Sequence, residues 1–314
     1  MDTLSKIPDL LGRNFAIGFI VPVFVLFGFL WLCFNSFNKL PKWLRFNPAD
    51  SFFDAALVVG VVWISALTLL GLNRLIVRTL EGYTFKYTGL YDRLKSWQQS
   101  RFIKRAAPSL HLQRMIDEAR SKGTTEPGQP DDHAERLRLA VEQFPHSEGA
   151  ILPTSFGNRY RAIETYPLVV YGLDAIPAWG RLIAVMPEEF KEAIQGTKAQ
   201  LDFSVNLLFV GVVSALIYFS LAVATISLGS WWLFLLYLAT IALGYVLAVS
   251  SLGSYGQFVK SAFDLYRKDL ADSLGLDLPR SSVHEREMWR DVSRMMIYRS
   301  DGACDRLTKY RKRG

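Results

Sequence analysis

The chain has 314 residues, 50% hydrophobic and 21% charged, and its 36 Lys and Arg against 29 Asp and Glu give a formal charge of +7. Two cysteines and four scattered histidines supply neither a disulfide framework nor the spacing of a metal site, so no metal and no cofactor are expected. The net positive charge fits attraction to anionic lipid of an inner leaflet, and because the cations are interleaved with carboxylates no nucleic-acid partner is expected.

Four apolar runs organise the sequence. Residues 1–14, with Lys6 and Arg13, precede the first run, Phe15–Phe34. The second is Phe52–Leu72, the third Phe203–Leu228 and the fourth Trp231–Leu252. Each has the roughly 20 residues that cross a bilayer as a helix, with no charge in its interior. The first run has the cationic flank of a signal sequence, but no small-x-small cleavage site follows it, so it reads as a retained span. Pro22 predicts a kink there. The loop 35–51 carries only Lys39, Lys42 and Arg45, whereas Arg74, Arg78 and Lys86 follow the second run. Lys191 and Lys198 precede the third, and Lys260, Arg267 and Lys268 follow the fourth. This distribution places both termini and the section 73–202 in the cytoplasm, and Trp31, Trp43, Trp231 and Trp232 at the outer interface.

The pattern between the hairpins is helical throughout. Leu72, Leu75, Ile76 and Leu80 continue an apolar stripe past the second run, and Phe190, Ala193, Ile194, Leu201 and Val205 form another that enters the third. Both predict stalks that extend the spans, with Pro187 at the first helical position of the later one. Leu112, Met115, Ile116 and Ala119 make a stripe closed by Gly123. The polar linker 123–132 follows, and then Leu137, Ala140, Val141 and Phe144, stopped by Pro145. No run alternates, so no sheet is expected. The segment 168–187 is apolar but contains Asp174 and Arg181, so it reads as a buried, interfacial or re-entrant helix rather than a span. The tail, 253–314, predicts two helices. Val259, Phe263, Tyr266, Leu270 and Leu274 mark one, and Ser282 with Glu285 reads as a capping box for the other. The end of the chain, Arg306–Arg313, is a basic cluster.

Chemically able side chains concentrate in Leu152–Arg181. Arg159, Arg161 and Arg181 beside Trp179 could bind a phosphate, a lipid headgroup or an acidic partner, while Glu164 and Asp174 supply balancing charge. The same residues could instead form a structural network, with Arg161 and Glu164 paired at i,i+3. No Walker loop, GxGxxG, GxSxG or HExxH occurs, and no ionisable group lies inside a run, so no catalytic residue is assigned and an enzyme is not expected. Asn206, Ser214, Ser220 and Thr225 give the third run mild polarity, which suits a pore lining or ordinary backbone bonding. Ala56 with Gly60, Gly211 with Ala215, and Gly244 with Ala248 are small pairs at i,i+4 that allow close helix approach.

The segment Leu152–Leu182 reads LPT-x-x-GN-x-x-R-A-x-E-x-YP, followed by YG-x-DA-x-x-x-W-x-RL. With Glu81-Gly82-Tyr83, Leu201-Asp202, Tyr255-Gly256 and Phe263–Arg267, it resembles a family of uncharacterised bacterial integral membrane proteins. That resemblance implies a bacterial inner-membrane protein and names no activity. The layout of two spans, a helical section, two spans and a tail is similar to that of bestrophin-type channels, in architecture only. The resulting expectation is an all-α membrane protein with four transmembrane helices in two hairpins and a helical cytoplasmic section. It would act as a homo-oligomer that forms or regulates an ion channel, or else as a membrane-anchored module docking a cytoplasmic protein partner.

Overall fold

A computed structural model describes residues 12–36, 52–125, 127, 128, 130–225 and 228–312, with the side chains of 29–36, 52–55, 225 and 228 left aside. The loop 35–51 from Phe37 onward, Trp43, and the side chains of Trp31 and Thr225 therefore lie outside the described residues. A π-helical turn, Ala16–Ile20, leads into α1, Val21–Ser36. Then come α2 (Phe52–Glu81), α3 (Gly89–Arg105), α4 (Ala107–Lys122), α5 (His133–Gln143), α6 (Ser155–Tyr171) and α7 (Ala175–Val185). The chain continues with α8 (Glu188–Thr225), α9 (Leu228–Ser273), α10 (Ser282–Tyr298) and α11 (Asp301–Leu307). Among the described residues the only β-type pairing is an isolated bridge between Leu276 and Arg311. The protein is all-α.

Among the described residues three helices are long and apolar enough to cross a membrane: Ala56–Glu81, Glu188–Ala224 and Gly229–Ser273. The first apolar run lies in a helical stretch described from residue 12 to 36, and over Gly12–Gly28, where its side chains are described, it is a shorter apolar helix. Three long apolar helices are plain among the described residues, and the expected fourth span is not. The third and fourth runs are also parts of longer elements. Pro187 precedes α8 rather than starting it, its carbonyl accepting the Lys191 N–H at 3.2 Å. The stripe Val259–Leu270 is no separate tail helix but the continuation of α9 to Ser273.

Two compact units form from discontinuous chain, 1–79 with 195–251 and 80–194 with 252–314. In the first, α8 and α9 pack closely through small residues. A Cβ on Gly244 would sit 2.9 Å from the backbone of Leu208, and one on Gly211 3.1 Å from Ile241. Tyr218 and Tyr237 stack with ring centroids 4.9 Å apart. Pro22 acts on the turn before it. Lacking an N–H, it leaves the Gly18 carbonyl without its usual helical donor, and Asn206 Nδ2 of α8 donates to that carbonyl at 2.8 Å.

In the second unit, α3, α4 and α5 enclose a core of Phe102, Ala106, Leu110, Ala140, Phe144 and Ile151. Met115 and Val141, expected on the buried stripes, are exposed, whereas Ile116 and Ala140 are buried. A second core forms where α10 and α11 come together, around the fully buried Trp289, Met288, Val292 and Ala303. The expected capping box is absent. Ser281 holds the N-cap position of α10, with no side-chain cap bond, and Glu285 turns its carboxylate to Arg267 Nε at 2.9 Å.

Candidate functional site

The segment with the densest chemistry, Leu152–Arg181, forms two helices bent by 82°. Its first part is a backbone clamp. Thr154 caps α6 by accepting the Gly157 N–H at 2.9 Å and donates its hydroxyl to the Leu80 carbonyl at 2.6 Å. The fully buried Asn158 amide closes on Leu152 in both senses, accepting its N–H at 2.7 Å and donating to its carbonyl at 2.9 Å. Ser155 accepts from Gln98 Nε2 and Arg101 Nη1, each at 3.1 Å. Gly157 lets α6 approach the end of α2, since a Cβ there would meet the Glu81 carbonyl oxygen at 2.6 Å. The LPT-x-x-GN residues are thus occupied in seating one helix against another.

The bend itself is built by Gly172 and Asp174. Gly172 adopts φ 81 and ends α6, its N–H going to the Leu168 carbonyl and that of Leu173 to Pro167. Asp174 starts α7 by accepting the Ile176 N–H at 3.0 Å, and its own N–H donates to Ser293 Oγ of α10 at 2.9 Å. Arg286 Nε donates to the Val170 carbonyl at 2.9 Å. Helix α10 therefore holds both sides of the bend.

The six candidate binding residues are not gathered at one point. Arg161 and Glu164 pair with each other at 3.2 Å, as their spacing suggests. Arg159 lies against α9, its Nη1 3.9 Å from where a Gly253 Cβ would be. Asp174 is a helix cap, and Trp179 packs on Phe263 with centroids 6.0 Å apart. Arg181 is exposed, and its Nη1 bonds the Pro177 carbonyl of its own helix at 2.6 Å. Around the bend, Leu168 and Ile176 remain exposed, at 48% and 71%.

The residues that do converge are motif and juxtamembrane positions in the sequence, and none of them was a candidate site residue. Asp264 of α9 accepts from the Tyr171 hydroxyl at 2.6 Å and from the Tyr166 hydroxyl at 2.9 Å. Arg267 lies 4.3 Å over the Tyr171 ring and donates to Glu285, which also accepts from Trp289 Nε1 at 3.4 Å. Lys260 lies 5.4 Å from the Tyr166 ring centre. Burial, with the Asp264 hydrogen bond second, pushes the Tyr166 hydroxyl up to about 12, and burial raises Tyr171 as well. With Asp264 accepting from both hydroxyls, the network binds α6 to α9. The signal that could have found it is Lys260, Asp264 and Arg267, polar residues at helical spacing beside the Val259–Phe263–Tyr266 stripe.

The polar residues of the third run face different ways. Asn206 is fully buried and bonded to Gly18, and Ser214 is buried. Ser220 is exposed and donates to the Leu216 carbonyl at 2.9 Å. They do not form one shared face. Among the described residues no group of three or more His, Cys, Asp or Glu could hold a metal ion. No family model, curated protein or solved structure matches the chain.

Proposed function

We propose that this protein is a membrane-anchored interaction module, with the long apolar helices as anchor and the bent α6–α7 segment as the docking element for a cytoplasmic protein. The observation that carries this reading is the contrast at the bend. Its backbone and most of its polar side chains are engaged within the unit, while Leu168, Ile176 and Arg181 face outward. Such a rigid support beneath exposed apolar and cationic side chains suits recognition of an acidic, partly apolar surface. In this reading the bacterial inner membrane holds the chain, and the second unit with both termini lies in the cytoplasm, as the Lys and Arg distribution suggests. Anionic lipid is an additional partner for the juxtamembrane cations.

The test is a photo-crosslinking residue at position 176 in cells, with position 283 on α10 as an exposed control. A defined adduct at 176 that weakens when Arg181→Glu is added supports docking. Equal labelling at both positions, unaffected by Arg181→Glu, refutes it.

A second reading, a homo-oligomeric ion channel, draws on the outward face of α8, where Ser220 sits with Leu216 and Phe219. The native mass of the detergent-solubilised protein, corrected for bound detergent, tests it. A monomer or dimer leaves too few spans for a central pore.

A further inference from the structure

One face of α8, where the third apolar run begins, carries Lys198, Asp202 and Asn206 at intervals of four residues. Helical spacing stacks them into a stripe. Asp202, 7% exposed, accepts at Oδ1 from Asn73 Nδ2 of α2 at 3.0 Å and from the Lys198 ammonium. Asn206, one turn further on, holds the Gly18 carbonyl, whose α-helical partner position is Pro22. The approach is close, since a Cβ at position 18 would lie 3.3 Å from the Cβ of Asp202. The π-helical turn Ala16–Ile20 contains this carbonyl, and such turns often mark functional sites.

The amide orientations follow from their partners. Reversing either one would set its oxygen against a carbonyl or carboxylate oxygen. Asn73 Oδ1 and Asn206 Oδ1 are consequently buried acceptors with no hydrogen-bond partner among the described residues. A buried carboxylate and two unsatisfied amide oxygens, at the edge of an apolar run, form an excess of oxygen acceptors that calls for a donor or a cation.

We propose that Asp202, Asn73 and Asn206 bind a monovalent metal cation, which takes the place of the Lys198 ammonium on Asp202. All-oxygen ligands favour hard cations, and an irregular helical turn beside them resembles the setting in which broken membrane helices bind alkali ions. The exchange is open to Lys198, whose side chain is 35% exposed against 10% for Asp202. It also conserves charge: one carboxylate keeps one positive partner before and after. A divalent ion would leave an uncompensated charge in an apolar setting. This inference goes beyond the docking reading and does not depend on it.

Thermal unfolding of the full chain in detergent, at constant ionic strength in sodium, potassium or choline chloride, tests the proposal. An alkali salt should raise Tm by about 3 °C or more over choline, as ligand linkage requires. The shift should grow in Lys198→Gln, which removes the competing ammonium, and vanish in Asp202→Asn. Equal Tm in all three salts for both the wild type and Lys198→Gln overturns the proposal. If Asp202→Asn does not fold, equilibrium binding of radioactive sodium and rubidium to the wild type and Lys198→Gln decides. Saturable binding that tightens in the variant supports the site, and its absence in both overturns it.

Discussion

Replacing Asn158 by Ala tests the claim that the LPT-x-x-GN residues are structural. The side chain is fully buried, and both of its polar atoms serve one backbone unit, the N–H and carbonyl of Leu152 at 2.7 and 2.9 Å. Leu152 is itself only 7% exposed, so water does not readily replace the lost amide. Each backbone group left without a partner costs roughly 1–3 kcal/mol. Two such groups, with the small cavity left by the missing amide, give a destabilisation of about 3–5 kcal/mol. At roughly 2–4 °C per kcal/mol for a unit of this size, Tm should fall by about 6–20 °C. The assay is thermal unfolding of the detergent-solubilised protein, followed by circular dichroism. Asn158→Asp refines the reasoning, since a carboxylate can still accept from Leu152 N–H but cannot donate to its carbonyl. It should destabilise too, and increasingly so as pH rises and the buried acid ionises. A change below about 1 kcal/mol for Asn158→Ala would show that the Leu152 backbone finds other partners, and the clamp argument would be wrong.

Two further outcomes follow from other contacts. Gly244→Leu drives a side chain into the Leu208 backbone, already 2.9 Å from a bare Cβ. It should cost about 1–3 kcal/mol or split α8 from α9, measurable as a lower Tm and as altered crosslinking between cysteines placed on the two helices. Asp291, bonded by Arg306 Nη2 at 2.6 Å and Nε at 2.8 Å, has its carboxyl held below the usual range, chiefly by that hydrogen bond. A depressed pKa means stability present above the unfolded value near 4 and lost as pH falls through the lower folded value. Asp291→Asn should therefore lower Tm at pH 7 and flatten the decline of Tm below about pH 4. A parallel decline in both proteins would refute the assignment.

How much of this was legible depends on the range of the interaction. Helical period and the absence of alternation made the all-α class readable, and Gly123 ends α4 in the left-handed conformation that its place in the pattern suggests. The pair Arg161–Glu164 was equally local, three residues apart on one helix. What failed was non-local. Ser282 and Glu285 have capping-box spacing, but Glu285 is taken by Arg267 from another helix, an interaction no local pattern encodes. The six residues grouped by their density between 152 and 181 lie along two helices bent by 82°, so nearness in sequence did not bring them to one point. Small residues at i,i+4 showed where helices could approach, yet the partner of Gly244, the Leu208 backbone, came only from packing.

Docking and cation binding make different demands on the chain, and their outcomes together bear on the channel reading. Docking needs Ile176 and Arg181 at the surface and is indifferent to alkali ions. A conducting assembly needs polar groups that ions can reach, whereas Asn206 and Ser214 are directed inward. If sodium or potassium binds at Asp202 and the native mass corresponds to four or more subunits, the inward cluster becomes a place where ions are recognised, and the outward face of α8 remains for contacts between subunits. If the cation binds and the protein is a monomer or dimer, the site instead acts on the packing of α1, α2 and α8, because its ligands come from α2 and α8 and border the turn leading into α1. An alkali ion would then set how firmly these anchoring helices hold together, and Lys198, by competing for the same carboxylate, would limit that effect.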